Sequence, residues 1–211
     1  RVAMASLGIF ALAIFLLTVR TIQRNQDWRN TETLMQSAVQ VVPESAKVQT
    51  ILSTFLIQEG RIDEAIGGLT EAVRLDPTYV TAYYNLGRAY AAKGNWREAE
   101  AVLQRALATS ERLGGPEHPA VAESLNRLGA LYASPAGRVV LPGRLEQAEP
   151  LCQRALAIRE KALGPEHPAV TQSLGEYAGL LRETNRTAEA TRMEARAWAI
   201  RARSARNDLV R

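Results

Sequence analysis

Apolar positions in this chain fall into sets that recur every 34 residues. Thr31, Ala65 and Ala99 keep that interval, as do Met35, Leu69 and Leu103, and Ala38, Ala72 and Ala106. Within each set the spacing is four and then three, which lines up small, large and small side chains on one stripe of an α-helix. Pro43 and Pro77 keep the same step and close the helices before them, because proline cannot continue a helix interior. The period predicts an all-α stack of antiparallel helix pairs, each burying its apolar face on its neighbours. The members of each pair are A and B in chain order.

Full pairs are expected at about 46–78, 80–113, 120–162 and 169–208, after a half repeat at 27–43. That half repeat reads as a B helix, because Trp28 and Arg29 align with Trp96 and Arg97 at twice the period. In the first full pair Leu52, Leu56, Ala65, Leu69 and Ala72 face inward and Gly60 permits the turn. In the second the pattern reads Tyr83, Leu86, Gly87, Tyr90, Gly94, Ala99, Leu103 and Ala106, with Gly87 and Ala99 small where two helices approach closely. Beyond Ala106 the period lengthens: Leu86-Gly87 recurs as Leu128-Gly129 after 42 residues, and the phrase Gly115–Val121 recurs as Gly164–Val170 after 49. The extra seven residues are assigned to a loop at Ser134–Gly143. The last pair departs from the pattern: Tyr177-Ala178 replaces Leu-Gly, and Glu194 stands where Leu103 and Cys152 stood. An Arg-rich helix from about Thr187 to Asn207 then serves as the end cap, whose outer face meets solvent.

These residues resemble tetratricopeptide repeats, and the longer repeats from Tyr79 to Arg203 resemble the kinesin light chain type. The resemblance implies a right-handed superhelical solenoid whose A helices line a concave groove for a protein or peptide partner. Groove candidates are then Tyr84, Asn85 and Arg88 on the second A helix, Asn126 and Arg127 on the third, and Glu176 and Arg182 on the fourth. Arg88 and Arg127 are suited to acidic peptide groups through charge-assisted bonds. Some members of the family clamp a C-terminal carboxylate with Lys and Asn on the first A helix; here those positions are Thr50 and Thr54, which speaks against that clamp.

Ahead of the repeats, Val2 to Val19 is a run of 18 residues without a formal charge. As a helix it would be roughly 27 Å long, close to the ~30 Å hydrocarbon core of a bilayer. A transmembrane helix within residues 1–24 is the favoured reading; a signal peptide and a buried soluble helix are the alternatives. The junction Arg20-Thr-Ile-Gln-Arg24-Asn-Gln-Asp-Trp28, with Pro43–Val48 after it, resembles the transmembrane and tetratricopeptide repeat-containing proteins over about Val2–Leu86. Members of that family are protein O-mannosyltransferases using a lipid-linked sugar, with catalytic acids in upstream membrane loops. The resemblance implies a C-terminal binding region of a multi-span, glycosyltransferase-like membrane protein with its repeats on the lumenal or periplasmic side. Arg20, Arg24 and Arg29 instead point to the cytoplasmic side by the positive-inside rule. A bacterial inner membrane is the expected location. The alternative is a single-span scaffold for a membrane complex with no enzymatic domain.

Charge and chemistry alter this picture little. The net charge of +4 resides wholly in Arg182–Arg211, with eight Arg against four acids. Interleaved Glu189 and Glu194 make that segment a mixed solvated face and argue against a nucleic-acid ligand. The one cysteine, Cys152, lies at a core register. His118 and His167 share one slot of a repeated turn, which implies turn geometry and not a metal site. Asp63-Glu64, Glu98/Glu100 and Glu146/Glu149 fall near B-helix starts, where negative charge suits the helix dipole. No catalytic constellation, cofactor motif or metal-ligand set is expected.

Overall fold

The structure, a computed structural model, describes residue 37 and residues 41–209. The expected membrane helix at 2–19 and nearly all of the half repeat at 27–43 lie outside the described residues. Among the described residues there is no strand, and no helix is long and apolar enough to cross a membrane. The chain forms α1 (Ala46–Gln58), α2 (Ile62–Leu75), α3 (Val80–Lys93), α4 (Trp96–Gly114), α5 (Pro119–Ala133), α6 (Pro135–Val140), α7 (Leu145–Leu163), α8 (Val170–Glu183) and α9 (Thr187–Leu209). Helices α1, α3, α5 and α8 are A members; α2, α4, α7 and α9 are B members. Each element packs mainly on its neighbours in sequence, the arrangement of an all-helical solenoid.

Local chemistry starts and stops these helices. Ser45 Oγ accepts from Val48 N at 3.3 Å and caps α1. The repeated Gly-Pro-Glu-His-Pro phrase is a helix-to-helix turn: Gly115 and Gly164 take φ of +84° and +90°, a region that disfavours any side chain. Each histidine then closes the turn, with Nδ1 of His118 and His167 accepting from Ala120 N at 3.2 Å and Ala169 N at 3.1 Å. The structural reading of both histidines holds.

The core runs along the stack as linked clusters. The small residues of the repeat sit under the large ones: a Cβ on Gly87 would lie 2.7 Å from Leu103 Cγ, and one on Gly129 would lie 2.8 Å from Cys152 Sγ. Ala65, Leu69, Ala72, Ala99, Leu103 and Ala106 are all buried as the pattern requires. Cys152 is a core residue, 1% exposed, and burial pushes its thiol up to about 12.

Two expectations need correction. Ser134–Gly143 is no plain loop. Ser134 Oγ accepts from Gly137 N at 3.0 Å and starts the short α6, Leu141 enters the core, and Arg138 reaches Glu183 at 2.8 Å. Six residues are too few for an apolar period to reveal, so only the cap and Pro135 marked this helix. The carboxylates near B-helix starts also do more than face a dipole. Glu100 is buried, accepts from Tyr132 Oη at 2.8 Å and pairs with Arg144 at 2.9 Å. Glu149 accepts from Tyr177 Oη and pairs with Arg186, both at 2.7 Å. Each therefore ties helices together, and the dipole is a smaller part of its role.

Two glycine substitutions separate packing from helix propensity. Gly87→Val is expected to destabilise the fold by about 1–3 kcal/mol, the usual cost of overpacking. Gly175→Ala, at a mid-helix site where an added Cβ meets nothing within 4 Å, is expected to stabilise by up to ~1 kcal/mol. Thermal unfolding followed by circular dichroism reads both; a Gly87→Val variant as stable as the parent would show that close approach at Gly87 is unimportant.

Candidate binding groove

Neighbouring A helices leave a cleft between α3 and α5. Its volume is about 270 Å³, and its walls are Tyr84, Gly87, Arg88 and Ala91 on one side and Arg127, Ala130, Leu131 and Ser134 on the other. Trp96 and Leu103 of α4 form the floor. Helical spacing explains the walls: 84, 87, 88 and 91 share one face of α3, and 127, 130 and 131 share the matching face of α5, with Ser134 just past its end. Ala130 stands at the register of Arg88 on the preceding A helix, and its small side chain opens the space.

The structure thus brings together three of the expected groove residues. Tyr84 spans the two helices, its hydroxyl 2.9 Å from Ser124 Oγ and 3.0 Å from the Ala120 carbonyl. Ser124 is in turn 3.0 Å from Ser110 Oγ. Burial holds the Tyr84 phenol above its ordinary pKa, and the Ser124 hydrogen bond offsets this in part. Arg88 is exposed and has no ion pair or hydrogen bond among the described residues. Arg127 lies across the cleft but is already held by Glu123 at 2.7 Å. Asn85 is half-buried beside them on α3.

The remaining candidates lie elsewhere. Asn126 is wholly buried between α5 and α8, donating from Nδ2 to Ser173 Oγ at 3.0 Å, and its Oδ1 has no partner. It is therefore not open to a ligand from solvent. Glu176 is half-buried on α8, at the register that Asn85 and Arg127 occupy on α3 and α5. Desolvation holds its carboxyl above the ordinary range, opposed by Arg127. Arg182 is exposed near the end of α8 and pairs with Glu194 at 2.7 Å. Thr50 and Thr54 bond back to their own helix at Ala46 O and Thr50 O, both at 2.8 Å, and carry no clamp.

Sequence reasoning missed the residue that organises the polar side of this face. Arg159 of α7 is buried, donating from Nη1 to Ser173 Oγ at 2.8 Å and from Nη2 to Glu123 at 2.5 Å. Gln172 joins Glu123 at 2.8 Å. One guanidinium therefore fixes α5 and α8 relative to each other, and through Glu123 it positions Arg127. Among the described residues no group of three or more His, Cys, Asp or Glu could hold a metal ion.

Arg159→Met is expected to cost about 3 kcal/mol, near the low end for a buried pair left half-empty, since Glu123 keeps Arg127. Urea unfolding measures it, and an unchanged midpoint would refute the role. Glu176 supplies a pH test. Its folded pKa lies above its unfolded value, so folding stability falls as pH rises through the window above the ordinary carboxylate range. Glu176→Gln should flatten that decline and leave the variant more stable than the parent at pH 7. Glu149 and Glu189, lowered by Arg186, lose their contribution below the ordinary range and do not obscure the window.

Comparison with known proteins follows the same lines. The family pattern for the tetratricopeptide repeat matches residues 78–136 and 143–203, more than half of the chain, and a second pattern for the TPR repeat matches 56–94. The chain is 37% identical over 100 residues to Protein O-mannosyl-transferase Tmtc3 of Drosophila melanogaster, covering 46% of this chain and 11% of that protein. It is 37% identical over 76 residues to Protein O-mannosyl-transferase TMTC1 of Homo sapiens, covering 36% of this chain and 9% of that protein. The chain thus spans about a tenth of the length of these relatives. Among solved structures, BtubC (BKLC) from P. vanneervenii superposes with a TM-score of 0.65 at 24% identity, covering 86% of this chain and 76% of that one. A putative kinesin light chain with nearly identical TPR-like repeats from Podosopora anserina gives 0.62 at 24% identity, covering 88% of this chain and 92% of that one. Pattern match, helix-pair stacking and superposition agree: the chain belongs to the tetratricopeptide repeat family.

Proposed function

We propose that the chain is a protein-interaction module that takes an extended acidic segment of a partner polypeptide into the groove between α3 and α5. The observation that carries this reading is the exposed Arg88 guanidinium at the mouth of a cleft floored by Trp96 and Leu103. Apolar walls suit one aliphatic or aromatic side chain, and the two arginines suit carboxylates on either side of it. Asn85 and Arg182 extend the same A-helix face and are secondary contacts for a longer segment.

The relatives support a wider setting. We infer that the module is the C-terminal binding region of a membrane protein of the O-mannosyl-transferase kind, anchored through residues 2–19, with sugar transfer carried out by sequence upstream of Arg1. The curated relatives named above are animal proteins, so the bacterial inner-membrane location expected from sequence draws no support from them. An open reading frame upstream of Arg1 that encodes several apolar spans would support the transferase setting. A start codon just before Arg1 would favour the single-span scaffold. Either outcome leaves the groove reading intact.

Fluorescence anisotropy with labelled peptides tests the groove. A peptide with one Phe flanked by Glu residues is expected to bind, and a Lys-flanked version is not. Charge reversal in Arg88→Glu/Arg127→Glu should weaken the acidic peptide by about tenfold or more, since it turns two attractions into like-charge repulsions. Equal affinity for both peptides, or an unaffected double variant, would overturn the assignment.

A further inference from the structure

The final helix carries a large apolar side chain in the open. Trp198 of α9 is 71% exposed, one residue after the buried Ala197. Leu107 of α4 and Leu156 of α7 hold the same register, one residue after the buried Ala106 and Ala155. Both leucines are partly buried because a following A helix lies on them. Leu107 packs with Val121, Ala122 and Leu125 of α5, and Leu156 packs with Val170 and Leu174 of α8.

A polar contact accompanies each of these joints. Three residues beyond the leucines, Ser110 lies 3.0 Å from Ser124 Oγ, and Arg159 donates to Ser173 Oγ at 2.8 Å. Arg201 holds that register on α9, where it is exposed and has no ion pair or hydrogen bond among the described residues. Apolar and polar halves of the repeated joint are thus both present on α9, and no described residue covers them. Arg206, exposed and likewise without an ion pair or hydrogen bond among the described residues, lies further along the helix.

We propose that this face of α9 docks an acidic amphipathic helix from a partner polypeptide, seated as α5 sits on α4 and as α8 sits on α7. The internal joints define its register. Val121-x-x-Ser124-Leu125 and Val170-x-x-Ser173-Leu174 show an apolar residue, a polar residue three positions on, and a leucine next to it. On the incoming helix the apolar pair covers Trp198, and a carboxylate or hydroxyl meets Arg201. An acidic flank meets Arg206. Charge argues against a second copy of α9 in this place, because it would set these arginines against their own counterparts. This surface is separate from the α3–α5 cleft and stands or falls independently of it.

The probe is a labelled peptide copying Pro168–Glu183 with Arg182→Glu, which carries the required register and an acidic surplus. A second peptide keeps the sequence but carries Glu176→Lys and Glu183→Lys. With the whole 211-residue chain in detergent, fluorescence anisotropy should show binding of the first peptide only. Trp198→Ala and Arg201→Glu should each weaken it by about tenfold or more, as expected when the central aromatic or its charged neighbour in an interface is lost. Circular dichroism checks that both exposed substitutions leave the fold unchanged. Arg88→Glu/Arg127→Glu should leave this affinity as it is. Equal binding of both peptides, indifference to Trp198→Ala, or loss in the groove variant would each overturn the proposal. A Trp198-dependent dimer in sedimentation equilibrium would do so too, by naming a second copy as the occupant.

Discussion

The distance between an A helix and its own B helix sets everything further out, and a missing side chain sets that distance. Gly87 lies beneath Leu103 and Gly129 beneath Cys152, so the two backbones of a pair approach until the larger residue fills the glycine's space. With that spacing established, the next A helix can lie close enough for Tyr84 to reach Ser124 and Ala120 across the groove. The cleft above Leu103 is bounded by the same contact, since Gly87 is both a wall of the cleft and the gap into which Leu103 inserts. In the last pair Ala178 takes the glycine's place and Glu194 the large residue's, and the carboxylate turns outward to Arg182. Ala190 and Met193 complete the apolar packing of that pair instead.

Two kinds of polar contact join successive repeats, and they differ in weight. Arg159, with its side chain 6% exposed, is a buried ion whose loss leaves Glu123 only Arg127 and Gln172 and cuts the link from α7 to Ser173. The repeated turn carries a second set along the outer edge. Arg154 meets Glu111 and the Pro116 carbonyl, and Lys161 meets Glu117. One repeat later, Arg196 meets Glu160 and the Pro165 carbonyl, and Arg203 meets Glu166. These pairs are largely exposed, so each contributes little to stability. Their regularity does explain why the whole phrase Gly-Pro-Glu-His-Pro recurs: its proline carbonyl, its carboxylate and its histidine each have a partner.

The helix pairs, their inward residues and the turn role of both histidines were legible in the sequence because helical period and chain punctuation are local properties. The groove was legible only in part. Tyr84, Arg88 and Arg127 meet because Tyr84 and Arg88 share one face of α3, and Arg127, at the register of Asn85, faces them from α5. Asn126 looked equally available, yet its partner Ser173 is 47 residues away on the next A helix, and only the stacked structure buries it. Arg159 hid for the opposite reason: an arginine on a B helix reads as surface until Glu123, Gln172 and Ser173 are seen to enclose it. Glu100 and Glu149 looked like helix-start charges because Tyr132 and Tyr177 come from other helices, and Arg144 and Arg186 from the turns that precede α7 and α9.

The outer stitches and the inner packing respond differently to the solution around them. Counterions screen charges over a Debye length of roughly 10 Å at 0.1 M salt and roughly 3 Å at 1 M, so the exposed contact pairs weaken only as salt becomes concentrated, while apolar burial is unaffected or strengthened. Concentrated salt therefore loosens the outer edge of the stack while leaving its apolar body in place.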